Sequence, residues 1–238
     1  MNNESVLFLL PCTLGIDAVQ SIPSYVKDIA ESLDIFFVEN ERSARRYLRS
    51  IGYTKNFDEV TLHLLDKHNK NTFIKTALLD LIREKKSAGI LSEAGLPCIA
   101  DPGGEVVKIA HQLEMQVNPL VGPSSIIMAL IASGMNGQEF TFHGYLPVEN
   151  EAQKKKLKEI EQQAIRSGYT QIFMETPYRN NKLIESILND CNAELLLSIA
   201  CDITLPTQFI QTKTIQQWKK EKPDFHKRPC IFSINKNT

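Results

Sequence analysis

LSEAGLPCIADPGG, residues 91–104, continues the apolar run Ala88-Gly-Ile-Leu91, and the reading of the whole chain turns on it. A buried strand passes straight into small residues, two prolines, an aspartate and a pair of glycines. In an open α/β sheet, ligands rest beyond the carboxyl ends of the strands. A segment this poor in side chains leaves main chain exposed at such an end. Gly95, Gly103 and Gly104 have no Cβ to hold a ligand away. Pro97 and Pro102 stiffen the segment, and Asp101 adds a carboxylate. Two readings fit these residues: an amide-lined pocket for a small cofactor, or a tight turn with a capped helix behind it.

Upstream, short apolar runs alternate with amphipathic stretches. Val6–Pro11 and Asp34–Glu39 read as buried strands. Ser24–Leu33, the arginine-rich Glu41–Ile51 and Asn71–Lys85 read as helices, with Asn71 and Thr72 as candidate caps. Downstream come a helix at Gly104–Leu113 and a strand at Gln116–Val121. Strand–helix alternation of this kind predicts a mostly parallel sheet covered on both faces.

The pattern then changes. Helices are expected at Ser124–Ala132, Glu151–Arg166 and Arg179–Asn189. Strands are expected at Phe140–Pro147, Gln171–Thr176, Leu195–Cys201, Thr207–Ile215 and Cys230–Lys236. The hairpin-like spacing of the last three predicts a mixed sheet. The punctuation Val121-Gly-Pro123 sets a boundary between an N-terminal α/β domain, 1–121, and a C-terminal α/β domain, 122–238.

Composition narrows the function. The 238 residues carry a net charge of −1, so any nucleic-acid contact must come from a local basic patch. Five cysteines (12, 98, 191, 201 and 230) are scattered without a CxxC pair, which fits a reducing compartment and no metal. Val6–Leu10 is too short for a signal sequence, and no apolar run approaches a membrane span, so a cytoplasmic location is expected. No P-loop occurs, and Leu10-Pro-Cys-Thr-Leu-Gly15 follows the first strand where a dinucleotide fold would carry GxGxxG.

LSEAGLPCIADPGG is similar to the signature loop of the tetrapyrrole-methylase superfamily, and further pieces follow in order. Leu10–Gly15 resembles its Pro-x-x-x-Gly after the first strand. Glu39-Asn-Glu-Arg42, Lys67-His-Asn69, Val121-Gly-Pro-Ser-Ser125, Phe140–Pro147 and Phe173-Met-Glu-Thr-Pro-Tyr-Arg179 resemble motifs of the branch that methylates ribose 2′-hydroxyls of small-subunit ribosomal RNA. The match spans nearly the whole chain. It implies a two-domain α/β methyltransferase, usually a homodimer, with S-adenosylmethionine in the cleft between domains.

Carried over residue by residue, the resemblance implies a cofactor pocket lined by Pro11, Ser92, Glu93, Ala94, Gly95, Ile99 and Asp101, and by Ser124, Ser125, Met174, Ala200 and Pro229. His68 and Asn69 either hold a substrate phosphate or sugar or lie on a surface loop, and Tyr145 and Tyr178 are the candidates to stack on a base. The chain departs from the branch at Glu93, where an aspartate is usual, and at Val121, where a proline is usual. Ala200-Cys-Asp-Ile-Thr-Leu205 also lacks an arginine and a lysine.

A ribose hydroxyl is a weak nucleophile, so a base within hydrogen-bond reach would help it. Glu39, at a strand end, is the candidate, with a salt bridge to Arg42 as the structural alternative. Glu175 and Arg179 flank Pro177 at another strand end and read as catalytic groups or as a structural ion pair. Arg42, Arg45, Arg46 and Arg49 recur at helical spacing. They form either a phosphate-binding strip or a solvated face balanced by Glu39 and Glu41. His143 and the run Lys154–Lys158 read as surface. Two rival functions stay open on these residues: methylation of a tetrapyrrole or other small molecule, and a non-catalytic module that only binds the cofactor.

Overall fold

In Ile35–Val38 the side chains alternate between two interiors: Phe36 and Val38 enter one hydrophobic core and Phe37 enters another. This strand, β2, belongs to a five-stranded parallel sheet with Val6–Leu10 (β1), Thr61–Leu64 (β3), Ala88–Leu91 (β4) and Gln116–Pro119 (β5), in the order β3-β2-β4-β1-β5. The structure is a computed structural model describing residues 5–16, 18–65, 71–221 and 223–237. The chain divides into two compact units, Met1–Ser124 and Ser125–Thr238.

In the first unit, Leu10, Leu91, Phe36 and Val38 pack with Val26 and Ala30 of Ser24–Glu31 (α1) and with Ala44, Tyr47 and Leu48 of Glu41–Ser50 (α2). On the opposite face, Leu7, Phe37, Ala88 and Ile90 pack with Ile74, Leu78 and Leu81 of Asn71–Glu84 (α3) and with Val106, Ile109 and Ala110 of Gly103–Gln112 (α4). Both faces are apolar, which is why these strands read as continuous hydrophobic runs. Gly89 is needed where β4 runs between β1 and β2. A Cβ there would lie 2.5 Å from Leu10 Cδ1 and 2.8 Å from Phe36 Cδ1.

The second unit holds Phe140–Tyr145 (β6), Thr170–Met174 (β7), Leu196–Cys201 (β8), Phe209–Thr214 (β9) and Cys230–Asn235 (β10), in the order β6-β7-β10-β8-β9. Only β6 and β7 pair in parallel; β10 is antiparallel to both β7 and β8, and β8 to β9. One face carries Phe173, Leu197, Ile199, Phe232 and Ile234. They pack against Asn150–Ser167 (α6), Asn180–Asp190 (α7) and Trp218 of Ile215–Glu221 (α8). Ser125–Ser133 (α5) lies on the other face, where Thr212 Oγ1 donates to the Ser133 carbonyl at 2.8 Å.

Strand β3 and helix α8 were not anticipated. Thr61-Leu-His-Leu64 is a four-residue edge strand with one neighbour, so it needs little apolar sequence. α8 spans seven residues and is fixed by Trp218, whose Nε1 donates to the Leu197 carbonyl at 2.8 Å. Both owe their shape to tertiary partners rather than to local pattern. All five cysteines are free thiols. Among the described residues no helix is long and apolar enough to cross a membrane.

Candidate functional site

The helices that follow β1 and β2 lie on one face of the first sheet, while the helix that follows β4 lies on the other. β4 stands between β1 and β2, so the chain diverges at its carboxyl end and opens a crevice there. Residues 92–102 occupy that end. Three loops meet in it. Cys12 and Gly95 exchange main-chain hydrogen bonds of 2.7 and 3.2 Å. Glu39, just past β2, accepts the Glu93 N–H through Oε1 at 3.0 Å. Ser43 Oγ donates to Glu93 Oε2 at 3.1 Å. Asn40 caps α2, its Oδ1 accepting the Ser43 N–H at 3.1 Å, and so fixes the donor that holds Glu93.

The loop is braced from within. Asp101 accepts the Cys98 N–H at 2.8 Å and the Gly103 N–H at 2.7 Å, one on each carboxylate oxygen. Ser92 Oγ donates to the Ala94 carbonyl at 3.2 Å. Gly95 sits at φ 73°, and Cys98 and Ala100 take the same left-handed region at 72° and 62°. That region is costly for residues with a Cβ, and the Asp101 brace stands where the cost falls. Pro11 is buried, and its carbonyl accepts the Tyr47 hydroxyl. A Cβ on Gly122 would lie 2.0 Å from Pro11 Cβ, so the glycine of Val121-Gly-Pro123 lets that segment close on the end of β1.

Charge at the crevice is negative. Glu93 and Asp101 both act on Glu39. Burial pushes the Glu39 carboxyl above its ordinary range, its hydrogen bond from Glu93 opposes this, and the Asp101 and Glu93 carboxylates add to the rise. Burial pushes the Cys98 thiol up to about 12 and the Cys12 thiol further, so neither serves as a thiolate nucleophile. Among the described residues no group of His, Cys, Asp and Glu is placed to hold a metal ion.

The expected residues fall into separate groups. Pro11, Glu39, Ser92, Glu93, Ala94, Gly95 and Asp101 come together at the crevice. Asp101 is spent on bracing, with both oxygens satisfied by its own loop. Ile99 lies exposed on the same loop. Ser124 ends the first unit and Ser125 begins the second. His68 and Asn69 lie outside the described residues.

The arginines of α2 do not act as one strip. Arg45 pairs with Glu41 at 3.3 Å, and Arg49 lies over the Phe57 ring and donates to the Tyr53 and Lys55 carbonyls. Arg42 and Arg46 are exposed.

In the second unit, Met174, Ile231 and Ala200 stand in register across β7, β10 and β8. Beyond β7 the Glu175 side chain is wholly buried, and its Oε1 accepts Arg179 Nη2 at 2.5 Å and the Thr176 N–H at 2.6 Å. Glu175 Oε2 and Arg179 Nε are buried without a hydrogen-bond partner among the described residues. Pro229 is exposed, and its carbonyl accepts the Asp202 N–H at 3.0 Å. Arg228 was missed in the sequence. Its Nε donates to Asp202 Oδ2 at 2.8 Å, so it brings a guanidinium to the segment where Ala200–Leu205 lacks one. No local motif marks it; only the pairing of β8 with β10 does.

The chain is 31% identical over 238 residues to the ribosomal RNA small subunit methyltransferase I of Vibrio cholerae, covering 98% of this chain and 78% of that protein. It is 26% identical over 236 residues to the protein of that name from Escherichia coli O157:H7, with the same coverage. Its fold matches the crystal structure of the methyltransferase CobJ with a TM-score of 0.60 at 16% identity, covering 98% of this chain and 94% of that one. No protein-family model matches the chain.

Proposed function

The chain belongs to the ribosomal RNA small subunit methyltransferase I family, and from that membership we propose that it transfers the methyl group of S-adenosylmethionine to a ribose 2′-hydroxyl of small-subunit ribosomal RNA. The observation that carries this reading is the meeting of the β1, β2 and β4 loops, with Glu39 fastened beneath the Glu93 amide.

The donor set fits that cofactor. A loop surrounded by Glu39, Glu93 and Asp101 suits a cation, and the sulfonium and amino groups of S-adenosylmethionine are cationic. A cofactor bearing phosphates would meet repulsion there, and no cation of the loop would offset it. Ser92, Glu93, Ala94 and Gly95 would hold the cofactor largely through main chain, with Pro11 behind them.

When bound, the cofactor supplies an activated methyl group, so the protein is left mainly with alignment and proton removal. Glu39 is the proton acceptor. Its raised affinity for a proton makes it a stronger base than an ordinary surface carboxylate, and the Glu93 N–H fixes its direction. Arg179 is held by Glu175 and presents the partly open side of its guanidinium to a substrate phosphate. Arg42 offers a second cation at the head of α2.

The test is transfer of labelled methyl to small ribosomal subunits from a strain lacking this gene, followed by mapping of the modified nucleotide. A single labelled ribose is expected. Label on a base, on protein or only on a small molecule would overturn the reading.

A further inference from the structure

Tyr178 is 70% exposed, yet everything beneath it is fixed. It lies in a single 3-10 turn, Pro177–Arg179, which leads into α7. The loop before β10 is stitched to that turn. Lys227 N–H donates to the Pro177 carbonyl at 3.0 Å, and Phe225 N–H to Asn181 Oδ1 at 2.9 Å. Asn180 Nδ2 donates to the Arg228 carbonyl at 2.5 Å. The Glu175–Arg179 pair braces the turn from inside.

This stitching sets three side chains in one exposed patch. The His226 ring stands edge-on to Tyr178, with centroids 6.1 Å apart, and Lys227 Nζ lies 5.8 Å from the centre of the Tyr178 ring. Lys227 holds φ 63°, a conformation that a free loop would seldom keep. The acid of the loop, Asp224, is taken up by Asn181 Nδ2 at 2.8 Å and the His226 N–H at 3.0 Å.

A rigid, solvent-facing aromatic ring flanked by a cation has the two features by which proteins hold an unpaired nucleotide: a surface on which a base stacks and a charge for its phosphate. Resting on the RNA reading above, we propose that Tyr178, His226 and Lys227 form a stacking platform for one unpaired base of the RNA substrate. Tyr178 supplies the stacking face, Lys227 the phosphate contact, and His226 limits the turn of the ring. The backbone is already ordered on both sides, so little entropy is lost when the base arrives.

The experiment measures binding of a labelled single-stranded RNA dodecamer to the full chain by fluorescence anisotropy. Tyr178→Ala should weaken binding about tenfold, while Tyr178→Phe, which keeps the ring, should stay within about twofold. An abasic dodecamer should be blind to Tyr178→Ala. Calorimetry with S-adenosylmethionine should give unchanged affinity for Tyr178→Ala, which shows that the variant folds.

The platform is overturned if Tyr178→Ala binds the dodecamer like the unsubstituted chain or if the abasic oligomer loses as much. It is also overturned if the substitution changes self-association in sedimentation and leaves RNA affinity alone. If the unsubstituted chain methylates ribosomal subunits and Tyr178→Ala keeps the same KM for them, the platform falls and the function stands. If the unsubstituted chain neither binds the dodecamer nor methylates subunits, both fall.

Discussion

Glu39 is pulled in two directions. The Glu93 N–H favours its charged form, while burial and the neighbouring carboxylates disfavour it, and burial is the larger effect. Its folded-state pKa is therefore raised above the ordinary 4.5. Such a group contributes stability that is full below the unfolded value and is lost as pH rises through the folded one. Glu39→Gln should melt at the same temperature as the parent in acid and no lower at neutral pH, because the amide oxygen still accepts the Glu93 N–H. Methyl transfer should instead fall by ~100-fold or more, since the proton acceptor is gone. In the parent, turnover should decline with acid as Glu39 takes up its proton, at a pH above the usual carboxylate range. The variant's residual rate should lack that limb. A pH–rate profile together with a calorimetric melt checks both; retention of the acid limb in the variant would assign the base elsewhere. Gly95 gives no comparably clean probe. It is buried at φ 73°, and an added Cβ would press on Leu14 at 3.1 Å and the Pro123 carbonyl at 3.3 Å, so substitution would disturb folding along with any ligand.

At the level of elements, the turn between β7 and α7 depends on one ion pair. Glu175 is sealed from solvent while Arg179 is about one-third exposed, so removing the arginine leaves a buried charge with no counter-ion. Arg179→Ala should cost about 3–5 kcal/mol of stability in urea titration. The double substitution Glu175→Gln with Arg179→Met should recover much of that loss, because the uncompensated charge is gone. A double variant as unstable as Arg179→Ala would show that the carboxylate, and not its pairing, organises the turn. A second pair works similarly at the same end of the sheet. Arg228 bridges Asp202 and the Thr207 carbonyl, joining the end of β8 to the start of β10.

At the scale of the whole molecule, each unit has apolar cores of its own among the described residues. Two lie on the faces of the parallel sheet within Met1–Ser124, and a third lies within Ser125–Thr238 between the mixed sheet and α6, α7 and α8. Each unit therefore has apolar layers of its own. Expressed alone, each should show a cooperative melt by circular dichroism. A unit that melts without a cooperative transition would show that its own apolar layers do not suffice to fold it.

The sequence by itself determined the alternation of strand and helix and the bare loop at 91–104. It also carried the family, because motifs at the ends of strands are short and contiguous. Tertiary structure alone decided what depends on distant partners. β3 and α8 exist because β2 and Leu197 satisfy them. Asp101 braces residues 98–103 because its own loop folds back on it. Glu39 reached Glu93, and Arg228 reached Asp202, only because separate strands end side by side. Hydrophobic period and glycine placement are written locally in the chain, whereas hydrogen bonding and desolvation between residues tens of positions apart come into being only when the sheet assembles.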